Sequence, residues 1–161
     1  MATKRAKSKR KQGKAGGNPA KAKSPPSPCD RGPNINANAY SIPISLAAVS
    51  GLRLDYYICG ITALATIDLY RNIGGNVTPV AQWKGDNQKY LPLRAELLPH
   101  FVAGQEYQLE FSLLASLLPK WHSAAELIAT DRNGSATVLY RLNENEKSPP
   151  PIGGYIYLLP S

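Results

Sequence analysis

The sequence predicts an all-β fold, an antiparallel β-sandwich or jelly-roll-like unit, carried behind a disordered basic N-terminal arm. Three observations predict it. From Tyr40 onward, apolar and polar residues alternate with a period of two in one run after another. Gly, Pro, Asn and Asp clusters separate these runs at short intervals. No sustained helical period, no internal repeat and no apolar run of membrane-spanning length interrupts the pattern. The organisation expected is a basic arm over 1–23, a Pro-rich linker over 24–38 and a β-sandwich over 39–161.

Charge separates the arm from the rest. The first 31 residues hold ten of the nineteen Lys and Arg side chains and one of the eleven acids, a net of +9. The other 130 residues hold nine basic and ten acidic side chains, a net of −1. After Met1 the arm has no aromatic residue and no aliphatic residue larger than Ala. It therefore buries too little apolar area to offset the entropy of ordering itself. An extended chain of like charges suits a polyanion: each Lys or Arg set against a phosphate releases counterions, with little sequence preference. Lys4, Arg5, Lys7, Lys9, Arg10, Lys11, Lys14, Lys21 and Lys23 are the candidate nucleic-acid-binding residues. Without aromatic side chains the arm has nothing on which to stack bases. The alternatives are a solubility tail or a nuclear-import patch, which KRAKSKRK would fit. No apolar residues accompany the charges and no Gly follows Met1, so a membrane anchor is not expected, nor is a secretory or transit signal.

Residues 24–33 contain Pro25, Pro26, Pro28 and Pro33, which stiffen the chain into an extended spacer, and a polar coil continues through Asn38. The two cysteines, Cys29 and Cys59, make neither a disulfide framework nor a ligand cluster. Cys59 reads as a small buried hydrophobe, and the pair as a sign of a reducing, intracellular setting.

Within the body, Tyr40, Ile42, Ile44 and Leu46 form the apolar side of a first strand, which Pro43 assigns to a sheet edge. Leu52, Leu54, Tyr56 and Ile58 alternate with Arg53, Asp55 and Tyr57, and Ile61 to Leu69 alternate similarly before the Gly74-Gly75-Asn76 turn. Val77 to Trp83 reads as a strand interrupted by Pro79, with a loop at Gly85-Asp86-Asn87. Tyr90 to Leu98 is ambiguous: Leu93, Leu97 and Leu98 would suit a helix, which Pro92 and Pro99 limit to about two turns, and its position suggests a crossing connection. The clearest alternation runs from Tyr107 through Leu117. A loop is expected at Pro119 to Ser123 and a hairpin at Asn133-Gly134, between runs containing Ala125, Leu127, Ala129 and Ala136, Val138, Tyr140, Leu142. The last run, Gly153 to Leu159, is apolar on both faces and so belongs inside a sheet or under a neighbour.

No catalytic constellation emerges, and the chain is not expected to be an enzyme. His100 and His122 lack metal-ligand spacing, and no nucleophile elbow or phosphate loop occurs. Asp55, Asp68, Glu96, Glu106, Glu110 and Glu126 fall mostly on polar strand faces, where solvated carboxylates are expected, with Asp68 and Arg71 as a local ion pair. The sequons at Asn76 and Asn133 carry no weight without an export signal. No cofactor or metal is implied. Nine tyrosines, including Tyr56-Tyr57 and Tyr155-x-Tyr157, serve either core packing or, where they face outward, subunit contact.

The basic run from Lys4 to Lys23, the prolines from Pro25 to Pro33 and the alternating strands from Tyr40 together resemble the capsid proteins of small icosahedral plant RNA viruses, at the size of satellite-virus members. This likeness lies in organisation over the whole chain and rests on no diagnostic motif. It implies a jelly-roll subunit that self-assembles into a shell, with arms turned inward on packaged RNA, in the virion and the host cytoplasm or nucleus. The partners implied are RNA, bound without sequence specificity, and further copies of the chain. The competing reading is an intracellular β-sandwich adaptor recognising a protein or carbohydrate, its basic tail tethering it to nucleic acid or addressing it to the nucleus.

Overall fold

The computed structural model describes residues 30–59, 62–86, 91–116, 121–148 and 152–161. Nine strands among them form two packed sheets: β1 (Ser41–Ile44), β2 (Val49–Cys59), β3 (Thr62–Ile73), β4 (Asn76–Asp86), β5 (Leu93–Glu96), β6 (Glu106–Ser116), β7 (His122–Asp131), β8 (Ala136–Asn145) and β9 (Gly153–Pro160). The five-stranded sheet has the order β1-β9-β6-β3-β4 and the four-stranded sheet β5-β2-β7-β8. All pairs are antiparallel except β1 with β9. The β-sandwich expected from the alternation is what the chain forms.

Period-two alternation supplies the core directly. Leu52, Leu54, Tyr56 and Ile58 of β2 with Ala125 and Leu127 of β7 face Ala65, Ile67 and Leu69 of β3 and Tyr107, Leu109 and Phe111 of β6, all buried. Each large aliphatic buried this way contributes roughly 1.5–3 kcal/mol relative to exposure. Phe111 joins the layers: its ring meets Tyr56 of the opposite sheet edge-on at 5.4 Å and Tyr140 at 6.2 Å. Burial, with Glu144 alongside, pushes the Tyr140 hydroxyl up to about 12.

The edge position read from Pro43 is found: β1 lies at the margin of the five-stranded sheet with Pro43 exposed and Ile42 and Ile44 buried. Strand β9 is paired on both sides, by β6 and β1, as an internal strand; Ile156 and Leu158 are buried, while Tyr155 and Leu159 on its other face are exposed. The chain end is held there, because Ser161 N–H donates to Ile44 O and Leu46 N–H to Ser161 O, at 2.8 and 2.9 Å. The β7–β8 hairpin also forms where Asn133-Gly134 placed it. Gly134 alone takes the positive φ, at 85°, and Asp131 Oδ1 accepts from the Asn133 and Ser135 N–H groups at 2.8 Å each.

Four expectations fail, and the loop expected at Pro119 to Ser123 gives way to strand from His122, where β7 begins. The segment expected as a helix before Pro99 instead forms β5 and a single 3-10 turn over Leu98–His100, because Leu93 and Ala95 find a place beside β2. Strand β4 continues past Pro79 to Asp86: the edge position leaves the proline without a missing bond, and a register shift after Leu69 absorbs the extra residue. Asp68 and Arg71 are three apart in a strand and so lie on opposite faces; Asp68 accepts instead from Gln82. Cys59 shares the outward parity of Asp55 and Tyr57, so it is half-buried and disulfide-bonded rather than a core hydrophobe. The chain's other cysteine, Cys29, lies outside the described residues. With Cys59 bonded, cysteine usage no longer argues for a reducing setting.

Gly153 makes the entry to β9 possible. Its φ is +123°, and a Cβ there would stand 2.1 Å from the Phe111 carbonyl oxygen. Gly153→Ala is expected to lower stability by about 3 kcal/mol or more, combining strain with a backbone clash. Gly75→Ala, at φ +87° in open space, should cost about 1 kcal/mol. Urea unfolding of the two variants measures both values.

Candidate nucleic-acid interface

The nine basic residues from Lys4 to Lys23 lie outside the described residues, so the structure speaks to how the arm is attached. Residues 30–38 are bound to the four-stranded sheet rather than standing off it. Ile35 forms a two-bond bridge with Arg141 on the free edge of β8: Ile35 N–H donates to Arg141 O at 3.0 Å, and Arg141 N–H to Ile35 O at 2.7 Å. Asn143 anchors the same segment twice, its Nδ2 donating to Gly32 O at 2.9 Å and its N–H to Asn34 Oδ1 at 2.8 Å. Asn36 Nδ2 donates to Leu139 O at 2.8 Å, and Asn36 adopts the left-handed φ of 50° that turns the chain toward β1. Arg31 reaches across the outer face, its guanidinium 3.5 Å from the Tyr57 ring centre, a cation–π contact.

Beneath this root lies a row of charge. Arg94, Asp55, Glu126 and Arg141 are successive register partners across β5, β2, β7 and β8, so their Cα atoms step across the sheet at strand spacing. Alternation alone assigns Asp55 and Glu126 to solvent, yet they are only 1% and 4% exposed. The cover is the reason: flanking arginines and the root segment close the outer face. Asp55 accepts a two-pronged bond from Arg94, Nε at 2.8 Å and Nη2 at 3.0 Å, and a longer one from Arg53 Nε at 3.3 Å. Glu126 accepts from Arg141 Nε at 2.7 Å, while Arg141 Nη1 also donates to Pro33 O at 3.2 Å. Two carboxylates directly opposite each other repel, so each depends on its own arginine. Burial, then Asp55, raises the Tyr57 hydroxyl above its ordinary range, with Arg31 pulling the other way. The Arg94 guanidinium is raised mainly by its bonds to Asp55.

Arg141 therefore does two jobs at once, neutralising a buried carboxylate and holding the arm's root by side chain and backbone. No pattern in the sequence marks it, because its partners lie 15 and more than 100 residues away. Among the described residues, no group of three or more His, Cys, Asp or Glu side chains could hold a metal ion. Among the described residues no helix is long and apolar enough to cross a membrane.

The opposite face of the molecule differs in kind. On the outside of the five-stranded sheet stand Tyr40, Tyr70, Tyr155 and Tyr157 with Asp68, Glu106 and Glu110. Tyr40 and Tyr155 are 70% and 58% exposed, and the directly opposed pair Leu64 and Leu114 is 39% and 77% exposed. Comparison with protein-family models, curated proteins and solved structures finds no match to the chain.

Arg141→Met strands Glu126 in a buried site and is expected to destabilise the fold by about 3–5 kcal/mol. Adding Glu126→Leu to the same chain should recover most of that loss, since the carboxylate needing the arginine is gone. Denaturant melts of both single variants and the double variant close the cycle.

Proposed function

We propose that the protein is a structural subunit that self-assembles into a shell and neutralises packaged RNA through its basic N-terminal arm. The observation that carries this reading is the charge division: an arm of net +9 continuous with a root fastened to one face of a near-neutral sandwich. A fastened root gives the arm a fixed point of departure, so many assembled copies would present their cations in one direction. Near-neutral bodies pack without the repulsion that single-sign surfaces bring.

The surface supports association as well. Leu64, Leu114, Ile73, Val77, Leu91, Val102, Tyr40, Tyr155 and Leu159 are all large apolar side chains left exposed in the single chain. Exposed large apolar side chains, the directly opposed Leu64 and Leu114 among them, fit contact with other protein chains. In this reading the nine arm residues from Lys4 to Lys23 contact phosphates, and the sandwich contributes assembly rather than base recognition.

Sedimentation of the full chain with and without RNA tests the reading. Discrete large particles containing RNA are expected for the natural sequence. A chain with all nine residues changed to Gln should leave RNA behind. A protein that stays monomeric or dimeric with RNA present would exclude the shell and leave the tethered adaptor.

A further inference from the structure

The outer face of the five-stranded sheet carries carboxylates that no cation pairs among the described residues. Successive partners across β3, β6 and β9 form two rows, Tyr70–Gln108–Tyr157 and Asp68–Glu110–Tyr155. Asp68 and Glu110 are directly opposed, and Glu106 lies on the same face of β6. Like charges in opposed positions are unfavourable unless a cation stands between or above them. None is present among the described residues: the ion pairs found lie on the other sheet, involving Asp55 and Glu126. Asp68 accepts from the Gln82 amide, and Glu110 from the Gln108 amide at 2.5 Å. Lys84, on β4, is register partner to Thr66, one row removed from Asp68.

Tyrosines border these acids. Tyr40 and Tyr157 stand with ring centres 4.8 Å apart, and Tyr155 and Tyr157 at 6.0 Å. Burial and then the nearby Asp68 and Glu110 raise the Tyr70 hydroxyl. Carboxylates set among open aromatic rings hold Lys and Arg by charge and by cation–π contact together. A polyanion is repelled by the same face.

Within this chain, the matching segment is the arm, with nine cations between Lys4 and Lys23 and no acid among them. Its root sits on the opposite sheet, where Arg31 covers Tyr57. The two outer faces point away from each other across a sandwich whose sheets lie about 10 Å apart. At roughly 3.3 Å per extended residue the arm's cations reach their own acidic face or that of another molecule, and the exposed Leu64, Leu114 and Tyr155 on the same face favour a second protein chain there. We propose that the acidic tyrosine face around Asp68 and Glu110 docks the basic arm of a second copy when no polyanion occupies it. The contact is head-to-tail, since arm and face are different surfaces, and such contacts propagate into rings or larger assemblies. RNA and the acidic face then compete for the same lysines. The inference goes beyond the RNA reading and does not depend on it, because it requires only the arm's charge.

Zero-length carbodiimide cross-linking of an equal mixture of ¹⁴N- and ¹⁵N-labelled full-length chains at low salt, without RNA, tests this. Mass spectrometry should find amide links between Lys4–Lys23 and Asp68, Glu106 or Glu110 in peptides that combine the two isotopes. Self-association by sedimentation should weaken roughly tenfold in Asp68→Asn/Glu110→Gln, which retains both amide-type acceptors, and again on raising salt. Links confined to a single isotope would overturn the second-copy docking, and so would an absence of arm links to these acids. Adding an RNA oligonucleotide should remove the links, and links that persist under saturating RNA would contradict the competition for the same lysines.

Discussion

Two carboxylates buried side by side set the terms for this fold. Asp55 and Glu126 are opposed on the two central strands of the four-stranded sheet, in a layer where alternation would put water. Burying one charge without a partner costs several kcal/mol, and burying two of the same sign costs more. The row works because an arginine closes each end, Arg94 from the short edge strand β5 and Arg141 from β8. Strand β5 and the arm's root are thus bound to the centre of the sheet by electrostatics as well as by backbone bonds. A buried ion pair is a poor source of net stability compared with apolar packing. Its value here is positional: it fixes where the arm begins.

That placement gives the molecule two unlike sides. One carries the root, Arg31 and the arginines that complete the buried row. The other carries exposed tyrosines and carboxylates without cationic partners among the described residues. A subunit so divided can keep its cations pointing at a polyanion while exposing a different chemistry behind. In the proposed docking, the same division would supply a head-to-tail contact when no polyanion is bound.

Much of the fold was legible because period-two alternation is a strong local signal. The core of β2, β3 and β6, the edge status of β1 and the internal position of β9 all follow from which residues alternate and where Pro43 stands. The hairpin at Asn133-Gly134 follows from turn chemistry. What failed depended on contacts distant in sequence. Residues 93–96 become a strand only because β2 offers an edge, and Asp55 gains its two-pronged partner only because Arg94 reaches it from far along the chain. Asp68 lost its assigned partner to a simpler oversight, since residues three apart in a strand face opposite ways. For the candidate interface, composition identified the arm's charge, while its anchorage through Arg141 and Asn143 had no sequence signature at all.

The central claim is that polyanion binding resides in the arm and is electrostatic, and the salt dependence of RNA affinity tests it most directly. Six to ten phosphate contacts on single-stranded RNA predict a slope of log K against log salt of about −4 to −7. Replacing the nine arm cations by Gln should flatten that slope nearly to zero. A shallow slope for the natural chain, or tight binding that survives the replacement, would contradict the account and place RNA recognition on the sandwich.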